Sequence, residues 1–217
     1  ELEEALGFPF SLINDFHAQA LAMPHLDATH LHGLQNPPAS PKGHMAVIGA
    51  GTGLGEALLA WSGSEYIVVA GEGSHGRFAP KTARETVLLE GLQALWPDHV
   101  SVERVVSGPG LVTTYDILRG NKPRHPKMGE IEPAAVITQE GMLGDPECQE
   151  VLRIFVDSLA DESASLALKC NATTVFVSGG IPPRILPILE ERFRTHFENK
   201  GRYRKNLERT QLFIVTY

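Results

Sequence analysis

"VIGAGTGLGEALLAWSGSEYIVVAGEGSH", residues 47–75, sets glycines at 49, 51, 53 and 55 between apolar runs and closes on Glu72, Gly73, Ser74 and His75. Here "MAVIGA", "EALLAWS" and "YIVVAGE" read as three strands, the last two joined by Gly63-Ser64 as a two-residue hairpin turn. A dinucleotide fingerprint would need glycine at 49, 51 and 54, but position 54 is leucine; a Walker A loop would need a Gly-Lys-Ser/Thr ending that is absent. The glycines therefore join strand to strand. Such a turn can still hold an anion, because successive backbone N–H groups freed of side-chain bulk form a concave nest and the Thr52 hydroxyl adds a donor. The alternative is a plain glycine-rich hairpin.

Outward from this stretch the pattern alternates between strand and helix, which predicts a mixed α/β domain. "FSLI" (10–13) reads as a short strand and "DFHAQALAM" as a helix stopped by Pro24. The histidine-rich and proline-rich segment from 25 to 44 reads as an irregular connection with room for a short strand, its histidines exposed. In "TARETVLLEGLQALWP", Thr82 and Glu85 form a capping box, and Val87, Leu88, Leu92, Leu95 and Trp96 make one face of a helix. Further helices are expected near 108–118, 131–138 and 146–169, then a buried strand "TTVFVSGG", a helix "PRILPILEERFRTHFENK" and a strand "QLFIVTY".

With 217 residues and 42% hydrophobic content, the chain can bury the core of one large domain or two small ones. A net charge of -7 argues against a nucleic-acid partner, and the basic stretches "NKPRHPK" and "ENKGRYRK" read as solvated surface. Two cysteines, Cys148 and Cys170, make neither a disulfide framework nor a zinc site, which favours a reducing cytoplasm. No apolar run approaches the ~18 residues of a membrane span. The chain opens without methionine inside helix-like "ELEEALG", so a fragment is expected.

Polar groups collect around these elements. Asn14-Asp15 precede a helix, with Asp15 where an N-cap would stand. Glu72 and His75 end a strand with glycines between them, free to turn toward a cleft, and Glu103 lies just before a Gly-Pro-Gly turn. Capping and solvated surface are the bland readings. Several carboxylates, an amide and an imidazole around one pocket suit a polyhydroxylated ligand, since each hydroxyl donates one hydrogen bond and accepts others. A sugar is the ligand that combination points to.

Six segments in order, "INDFHAQALAMP", "VIGAGTGLGEA", "GEGSHGRFAP", "VSVERVVSGPGL", "VFVSGGIPPR" and "FENKGRY", resemble the bacterial-type glucokinases of the hexokinase and actin-like ATPase superfamily. The resemblance implies a ribonuclease H-like, actin-like sugar kinase fold, truncated at both ends: residues 1–24 the end of a small lobe and hinge, residues 25–217 the large lobe. It implies transfer of the ATP γ-phosphoryl group to the 6-hydroxyl of glucose, with Mg2+ bound through the nucleotide. Asp15 would be the base; Asn14, Glu72, His75 and Glu103 would hold sugar hydroxyls. Gly51, Thr52 and Gly53 would form the second phosphate loop, and Gly179-Gly180 would lie near the adenosine. A carboxylate ionised at neutral pH can accept the hydroxyl proton, while positioning and exclusion of water carry the rest of the catalysis.

The family's first phosphate loop and its closing C-terminal helix are not in this sequence, so the chain alone is expected to be inactive. The zinc-binding Cys/His cluster of the related repressor and open-reading-frame kinase group is also absent, and no zinc is expected. Homodimers are common in the family, and "EVLRIFVDSLADESASLALKC" has apolar positions enough for a core face and a lobe or subunit contact. Two rivals are a glycoside hydrolase built on paired carboxylates, which has no use for an anion-binding turn, and a non-catalytic sugar-binding protein on the same fold.

Overall fold

Six strands form one sheet in a computed structural model that describes residues 7–8, 12–35, 37 and 42–216. They are β1 (Leu31–Gln35), β2 (Met45–Ala50), β3 (Leu54–Trp61), β4 (Tyr66–Gly71), β5 (Thr174–Ser178) and β6 (Gln211–Val215). Their order across the sheet is β1-β6-β5-β2-β3-β4. β6, β5 and β2 run parallel at the centre, β3 and β4 fold back antiparallel from β2, and β1 pairs antiparallel with β6. The period-two alternation of β2 serves two cores: Ala46, Ile48 and Ala50 enter a large one, Val47 a small one on the other face.

Helices α1 (Asp15–Ala22), α2 (Ala83–Leu95), α3 (Gly108–Arg119), α4 (Pro133–Leu143), α5 (Pro146–Cys170), α6 (Leu186–Glu198) and α7 (Arg204–Leu207) complete the fold. α2 to α7 all contribute to the large core, whereas α1 covers the opposite face of the sheet through Ala20. α5 is the central packing element: Leu152, Phe155 and Leu159 are fully buried, each stabilising the fold by roughly 1.5–3 kcal/mol. None of the large exposed apolar side chains among the described residues belongs to α5, although Leu166, Leu168 and Cys170 near its end are only partly buried. Among the described residues no helix is long and apolar enough to cross a membrane.

Local chemistry explains most boundaries. The capping box of α2 forms as read, with the Glu85 carboxylate accepting from the Thr82 N–H at 2.9 Å and the Thr82 hydroxyl oxygen accepting from the Glu85 N–H at 3.2 Å. Gly63 takes φ +101° at the β3/β4 turn. The basic side chains pair with acids, the exposed Lys122 with Glu147 and Lys127 with Glu140, and the half-buried Lys200 with Asp161.

Four readings need correction. Phe10 and Ser11 lie outside the described residues, while Leu12 and Ile13 join no strand and are exposed, because an apolar run alone does not supply a pairing partner. In α2, Leu88 and Leu92 are fully buried but Val87 and Leu95 point to solvent; a helix lying on a core buries one narrow face. Asn14, not Asp15, caps α1, accepting from the Phe16 and His17 N–H groups at 2.9 and 3.1 Å, and Asp15 is the first helical residue. Gly108, Pro109 and Gly110 form the first turn of α3 rather than a turn before it, with Ser107 as cap.

Candidate functional site

The β2/β3 pairing sets Gly49 opposite Gly55 and Ala50 opposite Leu54, which leaves Gly51, Thr52 and Gly53 as the turn. The Gly51 N–H donates to the Gly53 carbonyl at 2.9 Å, whereas the amides of Thr52 and Gly53 donate to no group among the described residues. Two adjacent unsatisfied donors beside the exposed Thr52 hydroxyl make a small anion-binding concavity. The even glycine spacing thus has two causes. Gly51 and Gly53 belong to the turn, but Gly49 and Gly55 lie under the ring of Phe16, where a Cβ on either would come within 2.5 Å of it. The absence of side chains there lets α1 close onto the hairpin.

That close approach aims the start of α1. Phe16 follows Asp15 directly, so the ring seated on Gly49 and Gly55 holds the exposed Asn14-Asp15 pair beside the turn. One turn further along α1, Gln19 accepts through Oε1 from the Ser178 hydroxyl at 3.1 Å, joining α1 to the end of β5.

A polar cleft of about 570 Å³ opens there. Asn14, Asp15, Glu72 and Glu103 line it together with Gly51, Thr52, Gly53 and Gly179. Glu103 sits in a short 3₁₀ turn and accepts through Oε2 from the Leu54 N–H at 2.9 Å. A Cβ at Gly53 would stand 2.8 Å from that same oxygen, so the missing side chain makes room for the carboxylate. The Gly73–His75 turn follows β4, and the Val102 N–H donates to the Gly76 carbonyl at 2.9 Å, tying this turn to the segment that carries Glu103. His75 is not on the cleft wall; its Nε2 lies 3.7 Å from the Glu72 carboxylate, and both side chains are exposed. Five sequence segments separated along the chain are thereby gathered around one space.

Among the lining residues that the sequence reading did not single out are Phe16, Gln19 and Glu56. Glu56 is 3% exposed on β3, and burial, with Glu162 nearby, pushes its carboxyl up to about 7. A signal existed, since Glu56 is the one charged residue within the apolar strand "LGEALLAW".

On the other side of the turn lies a second, more apolar cleft of about 460 Å³. Pro109, Leu111, Ala134, Ala135 and Ile181 line it, with Gly180, Glu132 and Arg184. Gly51 and Thr52 border both clefts, so the hairpin turn is the wall between them. The Gly108 N–H donates to the Gly51 carbonyl at 2.7 Å and fixes the head of α3 to this wall. Gly179 takes φ +96° and faces the polar cleft, while Gly180 faces the apolar one; a Cβ on Gly179 would overlap the Ala50 backbone.

A mixed sheet of this order, with a hairpin turn parting a carboxylate-lined cleft from an apolar one, is the sugar-kinase version of the actin-like ATPase fold. A family model described as glucokinase matches residues 1–217. A glucokinase of Nitrobacter hamburgensis is 35% identical over 207 residues, which covers 94% of this chain and 63% of that protein. The crystal structure of a glucokinase from an Antarctic psychrotroph matches with a TM-score of 0.86 at 32% identity, over 99% of this chain and 67% of that one. A ROK family glucokinase from Streptomyces griseus, solved with glucose and AMPPNP, shares the fold at 21% identity and a TM-score of 0.66, over 99% of this chain and 65% of that one. The chain belongs to the glucokinase family. It spans about two thirds of the length of these relatives.

Proposed function

We propose that this chain is the greater part of an ATP-dependent glucokinase, residues 1–24 being the end of the small lobe and the hinge with Asn14 and Asp15, and residues 25–217 the large lobe. The observation that carries this reading is the Gly51-Thr52-Gly53 turn, which borders both clefts and turns two free amides outward. Glucose occupies the polar cleft, and the adenosine of ATP the apolar one, past Gly180. The terminal phosphates then lie at the shared wall, within reach of the Thr52 and Gly53 amides and the Thr52 hydroxyl. A structure of the same fold that holds glucose and AMPPNP together is in keeping with this division.

Each residue has a definite task. Glu72 and Glu103 accept from sugar hydroxyls and the Asn14 amide both donates to and accepts from them, with His75 joining from beside Glu72. Glu103, already tied to the Leu54 N–H, cannot swing away, which orients the sugar it binds. Asp15, exposed at the cleft and steadied by the Phe16 ring, accepts the 6-hydroxyl proton as that oxygen bonds to the γ-phosphorus. Mg2+ bound through the nucleotide would neutralise phosphate charge beside the Gly51-Thr52-Gly53 turn. The anion-binding turn disfavours a glycoside hydrolase, which handles no phosphate.

The test is formation of glucose 6-phosphate by the complete protein that carries this chain, with Asp15→Asn beside it. The amide keeps hydrogen bonding without basicity, so kcat should fall at least ~100-fold with little change in glucose KM. Near-normal kcat would remove Asp15 from the role of base, and no turnover by the unaltered complete protein would remove the kinase reading.

A further inference from the structure

We propose that Glu56 is a positioning residue beneath the sugar-binding turn, and that a sugar entering the polar cleft drives a proton onto its carboxyl group. The inference rests on the reading that this cleft takes glucose. Glu56 pairs with Gly71 across β3 and β4, and its carboxylate packs so closely under Gly73 that a Cβ there would overlap it. Glu72 and His75 flank that glycine, so the floor of their turn is the Glu56 carboxyl. The group is nearly sealed off at 3% exposure, and its buried Oε1 has no hydrogen-bond partner. A buried carboxylate oxygen without a partner favours the neutral form.

The charged surroundings act in the same direction. Glu162 and Lys169 of α5 face Glu56, but Lys169 is 64% exposed and already lies 3.4 Å from Glu162. Asp15, Glu72 and Glu103 are the other acids that line the same cleft. Burial, reinforced by Glu162 and opposed by Lys169, leaves the free carboxyl at about 7, so at neutral pH it is divided between its two forms. A sugar filling the cleft removes the remaining water on that side, and the complex therefore prefers neutral Glu56 more strongly than the free protein does. Binding transfers a proton from buffer to a Glu56 oxygen with no bond to the sugar. By linkage, glucose affinity falls as pH rises through about 7, by at most tenfold per pH unit.

Calorimetric titration of glucose into the complete protein, in phosphate and in Tris at pH 7.5 or so, measures the protons taken up from the difference in apparent enthalpy. The unaltered protein should take up roughly half a proton per glucose, and Glu56→Gln should lose that uptake and the fall in affinity between about pH 6 and pH 8. His75 is present in both proteins, so any proton it carries cancels in the comparison. Glu162→Gln, which removes a like charge outside the cleft, should move the pH of maximal uptake downward. Equal uptake in Glu56→Gln, absent uptake in the unaltered protein, or an unmoved maximum in Glu162→Gln would each overturn the proposal. Should Glu56→Gln not fold, the Glu162→Gln result decides alone. Failure of the unaltered protein to bind glucose at any pH would overturn the sugar reading and this inference with it, an outcome distinct from binding without proton uptake.

Discussion

Alanine at Gly55 would test the packing that aims Asp15, the proposed base. Its Cβ would lie 2.5, 2.7 and 2.8 Å from three atoms of the Phe16 ring, against an ordinary carbon contact of about 3.5–4.0 Å, so the ring must retreat by about 1 Å. A Cβ at Gly49 would also meet the ring at 2.5 Å, which shows how closely the ring fits over both glycines. The retreat therefore lifts the first turn of α1, with Asp15 at its head. A misplacement of about 1 Å costs on the order of 100-fold in rate, and overpacking costs about 1–3 kcal/mol of stability. The lower chain entropy of alanine returns only about 0.5–1 kcal/mol, so the net effect remains destabilising. In the complete protein, kcat for glucose should fall about 100-fold, while the nucleotide KM, set in the other cleft, changes little. Phe16→Leu added to Gly55→Ala should recover a large part of the rate by giving the new methyl group room. A single variant with kcat within about twofold of the unaltered enzyme, or a double variant no faster than the single one, would refute the reasoning.

Glu72→Gln should weaken glucose binding by about 10-fold in calorimetry through loss of a charge-assisted hydrogen bond, with a smaller change in kcat. Gly179→Ala should destabilise the chain by at least ~2 kcal/mol in urea unfolding, because φ +96° and the Ala50 backbone both exclude a side chain. The Glu56 carboxyl is raised from 4.5 to about 7 in the folded protein, so the folded state binds its proton more tightly than the unfolded chain does. Its contribution is full below pH 4.5 and is lost as pH rises through about 7. The stability advantage of Glu56→Gln over the unaltered protein should grow by about 2–3 kcal/mol between roughly pH 5 and pH 8, and an advantage that does not grow over that range would contradict the buried, unpaired state of this carboxyl.

Much of the fold was legible because its signals are local. Thr82 and Glu85 satisfy each other within one helical turn, Gly63 needs only its own dihedral freedom, and the apolar runs of β2, β5 and β6 are continuous because both faces of the central strands are covered. Asn14 and Asp15 were recognisable as the head of a helix, although which of them caps it depends on a dihedral angle that adjacent letters do not specify. The abrupt glycine pattern announced a special turn, and residues 51–53 form it.

What the sequence by itself determined was most of the strands and helices, the place of the turn and the residue types available for sugar and phosphate chemistry, since propensity, capping and periodicity act over a few residues. Only the tertiary structure decided what those residues face. Gly49 and Gly55 are glycines because of a ring that arrives from more than 30 positions away, Glu103 reaches the hairpin through a hydrogen bond to Leu54, and Glu56 becomes an isolated buried acid because α5 closes over it. Close approach, desolvation and the separation of one wall into two clefts are properties of surfaces brought together by folding, and they have no period along the chain.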